Sequence, residues 1–153
     1  MSNVEAKILL FTTEIGKEHD ACIDYNELSS FDRLEDFFEP NMLKCDEELK
    51  SSWYRFTGDA GFQMANKCMR TGDTACSALG AGWLVGSHPT IEEGVVSRGV
   101  CFRTRSSCCS STINIKVKNC GQYMIYYLIA PENCPYRYCS SKHPQIIKGT
   151  RQI

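Results

Sequence analysis

The chain has 153 residues, of which 17 are basic and 18 acidic, and 42% are hydrophobic. This length favours a single domain with a sizeable core, and the near-neutral net charge argues against a dedicated nucleic-acid binder. We therefore expect no nucleic-acid partner. No stretch approaches the roughly 20 apolar residues of a transmembrane helix, so we also expect no membrane span in this chain.

The first part of the chain predicts little regular structure. Residues 1–20 are interpreted as a loosely attached leader of unclear origin that contains one strand, Ala6 to Thr13. A short helix is predicted next, because Ser30 is a suitable N-cap and Pro40 a suitable stop. Between them, apolar residues recur at helical spacing at Leu28, Phe31, Leu34 and Phe38.

The middle of the chain predicts strands separated by turns. The aromatic run Trp53–Thr57 predicts a strand that closes at Gly58, and Val95–Phe102 predicts another. Asp59–Cys68 is expected to hold one helical turn. The segment Thr71–Pro89 contains four glycines before its final proline, which predicts a structured loop.

The clearest strand pattern lies in the last third of the chain. The run Ile113–Val117 alternates apolar and polar residues, as is typical of a half-buried strand. Tyr123–Ala130 is apolar on both faces, as expected of a central strand, and the short Cys120–Gln122 connection predicts a hairpin between the two. We therefore predict a mainly β fold, a disulfide-rich, β-sandwich-like sheet with one or two short helices.

Charge is divided unevenly between the two halves of the chain. Residues 1–76 carry 8 basic and 15 acidic residues, a net charge of −7, whereas residues 77–153 carry 9 basic and 3 acidic residues, a net charge of +6. The interpretation that we favour is mutual neutralisation within one fold. The alternative is an exposed basic face for a sialylated or sulfated glycan, and its candidate residues are Arg98, Arg103, Arg105, Lys116 and Lys118.

Cysteine is abundant and its number is even. The ten cysteines are Cys22, Cys45, Cys68, Cys76, Cys101, Cys108, Cys109, Cys120, Cys134 and Cys139. In an oxidising compartment they predict five disulfides, although spacing alone does not give the connectivity. The N-terminal sequence lacks a recognisable secretory signal. The chain is therefore either a fragment or mis-started copy of a secreted protein, or a cytosolic protein with reduced thiols.

Metal-binding and catalytic motifs are weak. Cys134 and Cys139, with His143 beyond them, form one C-x4-C pair, but structural zinc sites normally present a second close pair. A Cys–His nucleophile is disfavoured because ten cysteines accompany only three histidines. The glycine run from Gly80 to Gly86 misses the dinucleotide-binding spacing by one residue. We expect a non-enzyme with no metal and no other cofactor.

Cys108 and Cys109 are adjacent and precede the alternating strand. A bond between neighbouring cysteines closes a strained eight-membered ring, so two separate partners elsewhere in the chain are favoured. Two bridges leaving one point would fix the entrance of the strand against two other segments, and each would contribute about 2–4 kcal/mol.

A set of segments, together with the order of all ten cysteines, carries a family resemblance. In order the segments are CIDYNEL (22–28), WYRFTGDAGFQM…C (53–68), GWLVGSHP (82–89), EGVVSRGVCF (93–102), CC (108–109), INIKVKNCG (113–121), YYLIAPENC (126–134) and RYC (137–139). They resemble the uromodulin-type cysteine-rich domain, also called the domain of eight cysteines, in its ten-cysteine form. The resemblance covers residues 21–139 and leaves residues 140–153 as a flexible tail.

The resemblance implies a secreted or cell-surface, non-enzymatic, β-rich module. Carried over position by position, it implies the disulfides Cys22–Cys120, Cys45–Cys134, Cys68–Cys108, Cys76–Cys139 and Cys101–Cys109. It also implies high-mannose N-glycans that bacterial fimbrial adhesins capture. This chain departs from that pattern, because Val85 and Tyr127 stand where relatives can carry the acceptor asparagine, and no Asn-x-Ser/Thr sequence occurs.

From these observations we expect an extracellular interaction or adhesion module of a mosaic defence glycoprotein, stapled by five disulfides, with an extracellular protein or glycan as its partner. One alternative is a structural building block for extracellular polymer or matrix assembly. Another is a cytosolic zinc or thiol protein, which would be consistent with the missing signal.

Overall fold

The computed structural model describes residues 20–69 and 74–142. Its strands are β1 (Asn26–Leu28), β2 (Ser52–Phe56), β3 (Gln63–Met64), β4 (Gly80–Leu84), β5 (Val95–Arg103), β6 (Ser111–Asn119), β7 (Met124–Leu128), β8 (Tyr136–Tyr138) and β9 (Ser140–Ser141). In the same residues, the helical segments are single 3-10 turns at Phe31–Arg33 and Gly58–Ala60. The predicted mainly β class is confirmed.

Seven strands form one mixed sheet in the order β1-β2-β7-β6-β5-β4-β8, and β3 pairs with β9 in a separate two-stranded sheet. Neighbouring strands of the large sheet are antiparallel except at its two edges, where β1 is parallel to β2 and β8 to β4. Since β7 lies between β2 and β6, it is the central strand that its two apolar faces predict.

The main core packs against one face of the large sheet. Its large, fully buried side chains include Phe56, Leu84, Phe102, Val117 and Tyr126, one from each of five strands. Burying one such side chain contributes about 1.5–3 kcal/mol. We call the opposite side, which carries the alternate residues of the same strands, the outer face.

The predicted hairpin is confirmed and joins β6 to β7. Asn119 pairs with Met124 at its closed end, and the Cys120 amide donates a hydrogen bond of 2.8 Å to the Tyr123 carbonyl. Gly121 has φ +98°, a conformation that favours glycine, so the glycine of the connection allows this tight reversal.

The predicted helix around Phe31 to Phe38 is wrong beyond one 3-10 turn. Leu34 is already extended, with ψ 136°, and the Ser30 hydroxyl bonds the Asp32 carboxylate instead of capping the backbone. Phe31 and Phe38 are 53% and 55% exposed, whereas Asp32 and Arg33 are buried. The segment therefore buries the polar side chains of Asp32 and Arg33, and it does not form the helix that the spacing of its apolar residues predicts.

The predicted loop Thr71–Pro89 is also partly wrong, because it contains β4. Within this strand, a Cβ at Gly82 would lie 2.8 Å from the Phe102 ring, and one at Gly80 would collide with the Tyr136 ring. These glycines therefore permit close packing inside a strand, so they are not turn signals here. Residues 70–73 lie outside the described residues.

The predicted chain ends fall mostly outside the described residues. That holds for residues 1–19, with the predicted strand Ala6–Thr13, and for residues 143–153. The tail boundary at 140 is wrong, since Ser140 and Ser141 form β9 and are buried. Their carbonyls accept hydrogen bonds from the amides of Glu35 and Phe62, which fixes this segment.

In the described residues, no helix is long and apolar enough to span a bilayer.

Candidate functional site

All ten cysteines lie in the described residues and all are bridged. The pairs are Cys22–Cys120, Cys45–Cys134, Cys68–Cys108, Cys76–Cys139 and Cys101–Cys109. They are the pairs that the family resemblance implies. Four of them join residues at least 40 positions apart, so the bridges connect the early segments of the chain to the sheet.

Cys108 and Cys109 fix the connection between β5 and β6. Cys109 bridges back to Cys101 within β5, whereas Cys108 reaches Cys68 in a different segment. The indole N–H of Trp83 in β4 donates a hydrogen bond of 2.8 Å to the Cys108 carbonyl. The adjacent cysteines therefore attach one connection to three separate parts of the fold, which is a structural role.

The outer face carries a row of neighbouring side chains across four strands. In register they are Trp53 of β2, Tyr127 of β7, Lys116 of β6 and Ser97 of β5. We call them the outer-face row. The Trp53 and Tyr127 rings meet edge to face with centroids 5.6 Å apart. Lys116 is exposed, so the row combines accessible aromatic surface with a cation.

Lys118 follows Lys116 on the same face, about 7 Å further along β6. Within residues 20–69 and 74–142, the amines of both lysines are without an ion pair or hydrogen bond. The two charges therefore add to the local positive potential of the outer face.

The other three predicted basic residues do not join these lysines. Arg98 pairs in register with buried Ile115, so its side chain leaves from the other face, where its Nε donates 3.0 Å to the Ser87 carbonyl. Arg105 is exposed on the connection after β5. Arg103 is only 1% exposed, and burial lowers the pKa of its guanidinium. The hypothesis of one five-residue basic face is wrong, because strand alternation and burial separate its members.

Buried ion pairs connect the segment before β2 to the edge strand β8. Asp32 accepts hydrogen bonds from Arg137 at 2.9 Å and from Lys44 at 2.5 Å. Burial alone would raise the pKa of Asp32, but the hydrogen bonds from Lys44, Ser30 and Arg137 outweigh it and hold the pKa below its ordinary value. Asp32 and Arg137 belong to the acidic and basic halves, so one buried pair supports the neutralisation that the charge split suggests.

A second buried pair lies beside the first. Arg33 binds Asp46 through both guanidinium nitrogens at 2.9 and 2.7 Å and also donates to the Tyr138 carbonyl at 3.0 Å. Asp46 in turn accepts the Tyr138 amide at 2.9 Å. The bidentate geometry fixes both side chains, so this arrangement stabilises the position of β8.

Arg55 is a structural residue that the sequence pattern did not reveal. Its guanidinium lies 3.8 Å from the Tyr123 ring centroid and donates 2.8 Å to the Tyr25 hydroxyl. The contact combines with the Cys22–Cys120 bridge to attach the segment before β1 to the hairpin. The sequence signal for this role was a basic residue within an aromatic strand. It was not sufficient, because the rings on which Arg55 stacks, those of Tyr25 and Tyr123, come from other segments.

A groove of about 460 Å³ lies at the closed end of the β6–β7 hairpin. It is lined by Phe62, Gln63, His88, Pro89, Thr90, Asn119, Gly121, Gln122, Tyr123 and Met124. The Asn119 side chain connects two lining segments of the groove. Its Nδ2 donates a hydrogen bond of 3.0 Å to the Pro89 carbonyl, and its Oδ1 accepts one of 2.8 Å from the Gly121 amide. We call this cavity the hairpin groove.

Behind the hairpin groove lies a short hydrogen-bond chain. The His88 Nε2 lies 2.8 Å from the Tyr126 hydroxyl, which accepts the Met64 amide at 2.8 Å. Burial raises the pKa of Tyr126 well above its ordinary value, so this phenol stays protonated at neutral pH. The contact between His88 and Tyr126 fixes the loop before Pro89 and gives His88 a positioning role.

The cysteine sulfurs of the described residues do not form the thiolate zinc site of the less favoured alternative. Within the described residues, the one group of three metal-ligating residue types is Cys45, Glu47 and Cys134. Its two cysteines are bonded to each other, and cysteine binds zinc as a thiolate, not as a disulfide. Cys139 of the C-x4-C pair is bonded to Cys76, while His143 lies outside the described residues.

Comparison with known proteins identifies relatives of the chain. Residues 54–140 match the family model of the uromodulin-like domain of eight cysteines. Uromodulin of Mus musculus is 37% identical over 132 residues, which cover 86% of this chain and 20% of that protein. Pancreatic secretory granule membrane major glycoprotein GP2 of Canis lupus familiaris is 34% identical over 125 residues, which cover 81% of this chain and 24% of that protein. The chain thus spans a quarter or less of the length of these relatives.

Proposed function

Because the chain belongs to the family of uromodulin-like domains of eight cysteines, we propose that it is a non-enzymatic extracellular module that presents a rigid surface to a partner. Five disulfides in a chain of this size favour an oxidising compartment. Because every cysteine is bridged, neither a nucleophilic thiolate nor a thiolate zinc ligand is available in the described residues.

The observation that carries the proposal is the outer-face row beside Lys118. Two ammonium groups, neither of them ion-paired within the described residues, lie on one strand next to two aromatic rings. Ammonium groups attract sulfate and carboxylate groups, and the rings offer flat apolar surface for a sugar. The partner class that this chemistry fits is a sulfated or sialylated glycan.

Binding at this surface is weak and depends on salt. Lys116 is exposed and Lys118 half-buried, so dissolved ions screen both charges over about 8–10 Å at physiological ionic strength. The sheet fixes the spacing of the two backbone positions that carry these cations, which reduces the entropy lost when a ligand with two anionic groups binds.

Heparin chromatography of the folded chain tests the proposal. The wild type is retained at low salt, and the Lys116→Glu/Lys118→Glu variant elutes in the void. A matched control, Lys50→Glu/Lys142→Glu, has the same net charge but alters exposed lysines outside the outer-face row, and it stays retained. Equal retention of all three proteins, or elution of all three in the void, would contradict the proposed surface.

A further inference from the structure

The lining of the hairpin groove mixes polar and apolar residues. None of its ten lining residues is Asp, Glu, Lys or Arg. Six of them carry hydrogen-bonding side chains: Gln63, His88, Thr90, Asn119, Gln122 and Tyr123. The groove thus combines polar groups with apolar surface, and its lining offers no carboxylate, ammonium or guanidinium group to an ionic ligand.

An exposed aromatic ring is held at this groove by rigid backbone. Phe62 is 64% exposed, although phenylalanine is usually buried. Its amide donates 3.0 Å to the Ser141 carbonyl. The preceding Gly61 has φ +81°, and a Cβ there would lie 2.5 Å from the same carbonyl oxygen. The backbone at Phe62 is therefore held against Ser141, and its exposed ring lines the groove.

Two lining residues have side chains available for a ligand. Thr90 and Gln122 are exposed, and neither side chain makes a hydrogen bond within the described part of the chain. Asn119 and His88 are fixed by their own hydrogen bonds, as described above. A ligand would thus meet preformed walls, which lowers the entropic cost of binding.

From this lining we infer that the hairpin groove is a binding site for an uncharged pyranose disaccharide, separate from the anionic-ligand surface on the outer face. Sugar hydroxyls match the amide and hydroxyl side chains, and the apolar face of a pyranose ring matches Phe62. A volume of about 460 Å³ falls in the range of small-molecule sites. A purely apolar occupant would displace water from the Thr90 and Gln122 side chains without replacing its hydrogen bonds, which is unfavourable.

Titration of the isotope-labelled chain with maltose, cellobiose, lactose and N,N′-diacetylchitobiose, followed by amide NMR shifts, tests the inference. At least one of the four shifts the amides of Thr90, Gly121 and Gln122, with a dissociation constant of about 1 mM. Phe62→Ala and Gln122→Ala weaken this binding about tenfold. The control Phe38→Ala removes another exposed phenylalanine, 55% exposed and outside the groove, and leaves binding unchanged.

Three results would overturn the inference. The first is the absence of shifts at the groove with all four sugars. The second is unchanged binding in Phe62→Ala. The third is that isopropanol, as an apolar probe, shifts the groove amides while the sugars do not, which would assign the groove to an apolar side chain of a protein partner. Because none of these readouts involves Lys116 or Lys118, failure here is distinguishable from failure on heparin.

Discussion

Asp32→Asn perturbs the buried ion pair that joins the two halves of the chain. The Asp32 and Arg137 side chains are 3% and 5% exposed, and their charged atoms lie 2.9 Å apart. The substitution keeps the shape of the side chain but leaves the Arg137 guanidinium buried without its counter-charge. Breaking a buried pair in this way costs about 3–5 kcal/mol. Lys44 adds little to this figure, because its side chain is 48% exposed and solvent compensates its charge.

Denaturant unfolding at neutral pH with the disulfides intact measures this loss. The control Asp36→Asn removes an exposed carboxylate four residues along, and we expect it to change stability by less than about 0.5 kcal/mol. Equal losses in the two variants would show that the Asp32 pair contributes no more than surface charge.

The stability lost in Asp32→Asn decreases as the pH falls. Since the pKa of Asp32 is lowered in the folded chain, its contribution is fully present above its ordinary value of 3.8 and is lost as pH falls through the folded pKa. The stability difference between wild type and Asp32→Asn is therefore constant from neutral pH to about pH 5 and shrinks below about pH 4. A difference that stays constant down to pH 2 would refute the ionic explanation.

Two further predictions concern packing. Gly82→Ala destabilises the chain by about 1–3 kcal/mol in denaturant unfolding, because the added Cβ meets the Phe102 ring, whereas Gly99→Ala, where the nearest atom is 3.9 Å away, changes stability little. Equal effects at both glycines would contradict the packing argument. Arg55→Met loses about 1–2 kcal/mol and increases hydrogen exchange at the amides near Tyr25, because the cation no longer stacks on the aromatic rings. Unchanged exchange there would contradict this role.

The strands with clear periodicity were predictable because their pattern reports burial directly. β5, β6 and β7 were predicted to within a few residues, since alternating or continuous apolar runs distinguish half-buried from central strands. β4 was not predicted, because its glycines give the sequence signal of a turn. The Phe102 and Tyr136 rings that require glycine at these positions come from distant parts of the chain. Local sequence carries no signal of such packing partners.

The candidate surface was predictable only in part for a similar reason. Lys116 and Lys118 share the polar phase of an alternating strand, which the sequence shows. The burial of Arg103 depends on strand pairing and on the connection after β5, which the local sequence does not encode. The hairpin groove brings together residues from 62 to 124, so its lining was not predictable from any single motif.

The central claim is an oxidised, disulfide-stapled extracellular scaffold, and disulfide mapping of the unreduced chain by mass spectrometry after alkylation tests it most directly. The account predicts five linked peptide pairs and no alkylated cysteine, with Cys108 linked to Cys68 and Cys109 to Cys101. Two or more alkylated cysteines without reduction, or a ring between Cys108 and Cys109, would contradict it.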